Sequence, residues 1–338
     1  MKALRLHGMG GLSLHDEPQP EPKLDEALLR ITAVGICGSD LHWFSEGGIG
    51  EENLSRPLIL GHEFSAVVES GELRGQRVAV DPLLPCETCE FCLEGNPNLC
   101  TDHHFAGHGA DDGALREFMT WPTKALFPLP DNLNDVEGAM LEPLGIAIHT
   151  VDLGKLRPGM TVGIFGCGSI GLLILKLARL SGASQIIATD KLAHRLVAAK
   201  DFGATSTYMS QNGAEAAAVI RGTKGRSLDV CFEAAGDNAA VETAVETCKP
   251  GGRVILCGIP QDNRMSFSAS SARRKGLTIK MVRRMKLTYP RALRLVESGR
   301  VDVKSIVTHV YPLDEYDEAF KTAEKRDGVK VVIQPEHS

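Results

Sequence analysis

At 338 residues the chain is long enough for two domains, each with its own core. Its 43% hydrophobic and 24% charged residues are ordinary for a globular protein; the nearest thing to a membrane span, around Leu172–Ile174, is interrupted by Lys176 and Arg179. A formal net charge of −6 gives no reason to expect nucleic acid as a partner, and Met1–His7 lacks the apolar centre and cleavage site of a signal peptide, so a cytoplasmic address is expected.

Up to about residue 145, short β-like runs such as Leu28–Val34 and Arg77–Val80 alternate with the Gly/Pro-rich loops Pro82–Pro85 and Pro128–Pro130. That pattern predicts an irregular, mostly antiparallel domain. Beyond it, strand and helix signals alternate: strands at Thr161–Phe165, Gln185–Thr189, Asp229–Glu233 and Arg253–Cys257, with helices at Ser169–Leu180, Leu192–Phe202 and Ala239–Cys248. Such alternation predicts an α/β, doubly wound parallel sheet. A tail holds one more helix, Tyr289–Ser298, and a last strand, Val329–Ile333. No internal repeat or low-complexity linker interrupts the chain.

The first polar cluster on this apolar background is Gly35–His42, followed by Gly61-His62-Glu63. Cys37, His62 and Glu63 could supply three metal ligands and leave a fourth position open, as metal-assisted catalysis requires. One thiolate, one neutral imidazole and one carboxylate around Zn²⁺ sum to zero charge. Neighbours in a regular strand point to opposite faces, so His62 and Glu63 can both ligate only if the backbone turns between them. Otherwise Glu63 stands behind the ligands. Glu142, in Leu141-Glu142-Pro143-Leu144, is a further acid in apolar surroundings. It could orient a water at the metal or replace it, or it could be an ordinary helix-end carboxylate.

Cys86, Cys89, Cys92 and Cys100 follow the pattern C-x2-C-x2-C-x7-C. Four thiolates can close a tetrahedral shell around one zinc ion, leaving a net negative, fully occupied site that staples a loop. An iron–sulfur cluster uses a similar start, but its bacterial pattern continues with x3-C-P, and here a seven-residue gap ends at Cys100-Thr101. The remaining four of the nine cysteines, Cys167, Cys231, Cys248 and Cys257, lie in apolar or helical contexts and read as small buried hydrophobes.

Gly166-Cys167-Gly168-Ser169-Ile170-Gly171 matches G-x-G-x-x-G between a strand and a helix. The first glycine allows the tight turn, the second a close approach of a pyrophosphate, the third contact between helix and strand. Free N–H groups at the helix start, Ser169 and Ile170 included, face the phosphates. Asp190 ends the second strand at the position of the acid that receives the ribose hydroxyls and repels a 2′-phosphate; its alternative role is to cap the next helix. Lys191 and Arg195 are the cations that could answer a 2′-phosphate. Arg195 is kept among the cofactor-binding candidates, and NAD is the expected cofactor.

Taken together, Gly35–His42, Gly61-His62-Glu63, the four-cysteine lobe, Glu142-Pro143 and Gly166–Gly171 occur in the order of the zinc-containing medium-chain dehydrogenases, and the chain resembles that family over nearly its whole length. The resemblance implies a GroES-like catalytic domain over 1–144 with a structural-zinc lobe at about 82–104, a Rossmann NAD-binding domain over 145–283, and a return to the catalytic domain over 284–338. It is nearest to the sorbitol and xylitol dehydrogenase branch, in which Cys37-, His62- and Glu63-type ligands plus water hold the catalytic zinc. Gly48-Ile49-Gly50 and the Asp112-Gly113 turn are also similar to that branch.

By the same resemblance Ser39 and His42 carry the substrate's hydroxyl proton to solvent, and Trp43, Arg283 and Arg284 line the pocket. Three positions depart from the pattern: Ala66 where a glycine is usual, Trp43 where a tyrosine is usual, and Arg283-Arg284 in place of an Arg-Tyr pair. The expectation is therefore two zinc ions per chain and reversible oxidation of a secondary hydroxyl of a polyol to a ketone with NAD, by a homodimer or homotetramer. The added arginine brings in an anionic polyol, an aldonate or a sugar-alcohol phosphate, as a second substrate class. A threonine-like amino alcohol is a third. A non-catalytic NAD-binding sensor would have lost the catalytic ligands, and none is missing here.

Overall fold

The computed structural model describes residues 1–335. Two compact units emerge: one is Met1–Glu142 together with the chain from Tyr289 onward, the other Pro143–Thr288.

The first unit is built on a seven-stranded sheet. Its path runs Leu126–Pro128, Arg77–Val80, Glu63–Val68, Glu26–Gly35, Lys330–Gln334 and Val307–Pro312, and Phe118–Pro122 adds to Glu26–Gly35. All pairs are antiparallel except the last two strands of that path. Glu26–Gly35 shows why it lies at the centre. Ala27, Leu29, Ile31 and Ala33 alternate with more polar residues, so one face enters the core while Thr32 and Arg30 face outward. Trp43, Phe64 and Phe320 fill that core. The C-terminal strand is an integral part of the sheet, because Val332 pairs with Gly35 and Gly35 pairs with Glu63.

The second unit is a six-stranded parallel sheet in the order Ser206–Met209, Gln185–Asp190, Thr161–Phe165, Leu228–Glu233, Cys248–Leu256, Thr278–Met281. Every residue of Thr161–Phe165 and Leu228–Glu233 is buried, the signature of central strands covered on both faces. The direction of winding reverses between these two, which places the topological switch point of a Rossmann sheet beside the loop Gly166–Gly171.

The return to the first unit comes at Tyr289 rather than residue 284. Val282 N–H still donates to Leu256 O at 2.8 Å, and the Met285 and Thr288 side chains close over Gly145, where an added Cβ would lie 2.3 and 2.7 Å from them. Tyr289 is the first residue committed to the first unit: its hydroxyl donates to Val80 O at 2.6 Å, and its ring stacks on Phe127 at 4.8 Å. Among the described residues no helix is long and apolar enough to cross a membrane.

Candidate active site and cofactor loop

The four cysteines of the lobe converge. Their sulfur atoms all lie within 4.8 Å of one another, with Cys89 Sγ 3.5 Å from Cys92 Sγ and 3.8 Å from Cys100 Sγ. Four thiolates at the usual Zn–S distance of about 2.3 Å stand roughly 3.8 Å apart on the edges of a tetrahedron. The separations therefore fit one ion, and a multi-iron cluster would need its cysteines farther apart. Backbone amides support the sulfurs: Cys86 N–H donates to Cys100 Sγ and Cys89 N–H to Cys86 Sγ, each at 3.3 Å. Hydrogen bonds from the Thr88 backbone and hydroxyl and from Cys89 N–H bring the Cys86 thiol down to about 6, while burial and the neighbouring thiols push Cys92 up to about 12. The cluster is half-exposed apart from the buried Cys100, and all four positions of the shell are filled by protein.

Cys37 caps the N-terminus of the helix Gly38–Glu46, directly after the central strand. His62 precedes the strand Glu63–Val68 and follows Gly61, whose φ of 96° is open only to glycine and where a Cβ would meet Val34 at 2.8 Å. Gly61 thus turns the chain immediately before His62, at the entry to the strand. Ligand atoms of Cys37, His62 and Glu63 lie within 4.8 Å of one another, with His62 and Glu63 buried. A thiolate, an imidazole and a carboxylate suit zinc, and three protein ligands leave one position open.

Asp40, buried in the first turn of the same helix, ties this group together. It accepts from Cys37 N–H at 2.8 Å and Gly61 N–H at 3.2 Å and lies 3.5 Å from His62 Nδ1. Burial alone would raise Asp40, but the His62 charge and these hydrogen bonds outweigh it and hold the carboxyl low. Burial likewise opposes protonation of His62, yet Asp40 and Cys37 push its imidazole well above the ordinary histidine value. Glu142, 4% exposed in the first turn of Leu141–Gly154, is pushed up to about 8, chiefly by burial and further by the Glu63 charge, against His62 and Lys330.

Lys330 and Asp40 are the residues that sequence reasoning missed. Lys330 Nζ donates to both oxygens of Glu63, at 2.8 and 2.6 Å, so the carboxylate's charge is matched and the zero-sum count of the three ligands is incomplete. The signals were a single lysine inside the apolar run Val329–Ile333, and a Cys-x-x-Asp pattern at a helix start.

Ser39 Oγ lies 3.3 Å from His62 Nε2, and His42 Nδ1 lies 3.0 Å from Glu46 Oε1. Trp43 is 2% exposed, its ring edge-on to His108 at 5.4 Å, and Phe105 packs between His108 and His62 at 6.2 and 5.3 Å. The aromatic chain thus joins Trp43 to His62. Arg283 and Arg284 belong to the second unit, past the strand Thr278–Met281; Arg283 is exposed, and Arg284 is half-buried in a left-handed conformation with φ of 50°.

In the second unit Gly166 has φ of 101°, and a Cβ on Gly171 would stand 1.9 Å from Gly166 O, so the first and third glycines are sterically required. Gly168 caps the helix Ser169–Leu180, which presents the amides of Ser169 and Ile170 at its start. Asp190 is buried at its strand end and accepts from Cys167 N–H at 2.7 Å and Leu192 N–H at 2.8 Å, fixing the glycine loop to the next turn. Lys191 pairs with Asp237 instead of standing free, and Arg195 Nη1 lies 3.5 Å from where a Gly168 Cβ would be. Of the scattered cysteines, Cys167, Cys231 and Cys248 are buried and Cys257 is half-buried.

The fold and the two cysteine centres define a zinc-binding dehydrogenase with a GroES-like domain. Residues 23–131 match the alcohol dehydrogenase GroES-like domain, and residues 169–298 match the zinc-binding dehydrogenase family. The chain belongs to that family. Among its relatives, the sorbitol dehydrogenase of Bacillus subtilis (strain 168) is 36% identical over 345 residues, covering 99% of this chain and 97% of that protein. A zinc-binding dehydrogenase from Sinorhizobium meliloti 1021, solved with NADP, superposes with a TM-score of 0.91 at 31% identity over 99% of both chains. The L-idonate 5-dehydrogenase of Escherichia coli K-12 MG1655 gives 0.91 at 28% identity, over 98% of this chain and 97% of that one.

Proposed function

We propose that this chain reversibly oxidises a secondary hydroxyl of a polyol to a ketone, with NAD as hydride acceptor. The observation that carries this reading is the buried convergence of Cys37, His62 and Glu63, three donors of mixed type with one position left for a substrate oxygen. Zinc held there would supply Lewis acidity, lowering the pKa of the substrate hydroxyl. The protein's own groups supply the rest. Asp40 orients His62 from behind, at 3.5 Å from Nδ1. Ser39, beside His62, is the first acceptor of the hydroxyl proton, and His42 passes it onward to solvent. Glu142, buried beside this centre, can hold a polar group of the substrate or a water by hydrogen bonding, and Trp43 forms an apolar wall.

The loop of Gly166, Gly168, Ser169, Ile170 and Gly171 receives the pyrophosphate, and Asp190 receives the ribose hydroxyls. The pairing of Lys191 with Asp237 removes one cation that a 2′-phosphate would use, which supports NAD over NADP; Arg195 remains the residue through which NADP would bind. The sorbitol dehydrogenase relative supports a neutral alditol. An anionic polyol is the second reading, supported by Arg283 and Arg284 and by the idonate-oxidising relative. In this reading the chain works in the cytoplasm as a homodimer or homotetramer; the edge strand Thr278–Met281, with Met281 63% exposed, supports the oligomer alone.

A panel of alditols, aldonates, sugar-alcohol phosphates and amino alcohols, each assayed with NAD and NADP, tests the reading. The expected result is the highest kcat/KM for an alditol with NAD. A preference for matched anions that falls by roughly tenfold in Arg284→Tyr would promote the second reading, since hydrogen bonds to charged groups contribute about 1.5–3 kcal/mol. Turnover of threonine-like amino alcohols alone, or of no alcohol by protein carrying two zinc ions, overturns the proposal.

A further inference from the structure

The strand Lys330–Gln334 contributes a lysine to the interior of the first unit, 3% exposed, facing a carboxylate that is 1% exposed. Burying an ammonium is costly, and an apolar residue of similar length would complete this strand as well or better. A buried pair of this kind is weak evidence for a stabilising role. The surroundings show what it touches. Gly35 lies between its two neighbours in the sheet, paired with Glu63 on one side and Val332 on the other. A Cβ on Gly35 would stand 2.1 Å from Glu63 Oε2, so the absence of a side chain opens the space in which the two charges meet. There Lys330 Nζ donates to Glu63 Oε1 at 2.8 Å, to Glu63 Oε2 at 2.6 Å and to Ile36 O at 3.0 Å. Three acceptor atoms thus lie within hydrogen-bond distance of the ammonium. One of them belongs to the residue just before Cys37, so a single side chain bonds to one candidate metal ligand and to the backbone leading into another.

We propose that Lys330 is a positioning residue for the catalytic metal: through its three-point grip on Glu63 and Ile36 it holds the Glu63 carboxylate toward Cys37 and His62 before the metal arrives. This rests on the reading that Cys37, His62 and Glu63 hold that metal. A carboxylate fixed in advance loses little freedom on ligation, and supporting partners of this kind commonly contribute 10–100-fold to metal affinity.

The experiment measures zinc affinity of the intact protein by chelator competition, alongside the visible spectrum after replacement of the catalytic zinc by cobalt(II), whose bands report the ligand set. Lys330→Met should weaken zinc at this centre by about 10–100-fold and alter the cobalt bands, with the lobe's zinc unchanged. Lys330→Arg keeps the charge but not the three-point fit. It should shift the cobalt bands with a smaller loss of affinity, and it serves as the test should Lys330→Met not fold.

Lys330→Met combined with Glu63→Gln should be no weaker than Glu63→Gln alone, because the lysine acts through the carboxylate. A residue with only a structural role would lower the Tm, as loss of either partner of a buried pair does, but would leave the cobalt bands unchanged and add its effect on affinity to that of Glu63→Gln. Wild-type affinity and cobalt spectrum in both lysine variants, or additivity in the double variant, overturns the proposal. Full zinc retention in Cys37→Ser as well as Glu63→Gln would instead sink the underlying assignment of the metal ligands.

Discussion

In the lobe, Cys86, Cys89, Cys92 and Cys100 all come from one run of fifteen residues, whereas Cys37, His62 and Glu63 are drawn from a helix start and the approach to a strand. Lys330 then joins the second group from a strand 267 residues beyond Glu63. The first centre is half-exposed and closed by its own loop; the second is largely buried and assembled by the register of three strands. The chemistry divides the same way. Four thiolates leave a divalent ion net negative and without an open position, which suits a staple. One thiolate with one charge-matched carboxylate leaves the ion electron-poor and accessible, which suits catalysis.

The widest separation between the two centres is expected from Cys37→Ser. It should bring turnover to background and zinc content from two ions to one, while the melting behaviour and NAD binding stay near wild type; elemental analysis and cofactor titration read this directly. Retained turnover would end the distinction between a catalytic and a structural centre. Cys100→Ser should act in the opposite sense, costing on the order of 4 kcal/mol or more of stability by opening the lobe, and be visible as a lower Tm or failed assembly. An unchanged Tm, or iron and sulfide in place of zinc in the wild type, would refute the staple. Smaller still, Asp40→Asn should weaken zinc at the buried centre by about 10–100-fold through loss of the charge behind His62, with no effect on the lobe. Equal loss from both centres would mean that Asp40 serves the fold as a whole.

The same contrast governs what could be read from the sequence. The lobe was legible because its ligands are neighbours in the chain and their spacing is itself the geometry. The central strand Thr161–Phe165 was legible as an apolar run, and its neighbour Leu228–Glu233 from the apolar stretch Val230-Cys231-Phe232 between two acids that are themselves buried. The edge strands Ser206–Met209 and Thr278–Met281 were not, because half-exposed positions admit Thr, Tyr and Lys and erase the pattern. At the buried centre, the approach of His62 and Glu63 depended on backbone geometry at the entry to their strand, which a sequence poses only as a condition. Lys330 depended on sheet register, which no local pattern carries. The return at Tyr289 was displaced by a few residues for a similar reason: Met285 and Thr288 pack on Gly145, 140 and more residues upstream.

That separation in sequence also imposes an order of events on synthesis. At about 5–20 residues per second, the ribosome delivers Lys330 roughly 13–50 s after Glu63. Throughout that interval the strand Glu26–Gly35 lacks its C-terminal neighbour, and the Glu63 carboxylate has no ammonium to meet. All four lobe cysteines, by contrast, emerge within about three seconds of one another at the slower rate. The lobe's four sulfurs are thus available together while the chain is still growing, whereas the buried centre gains its full set of contacts only with the last strand.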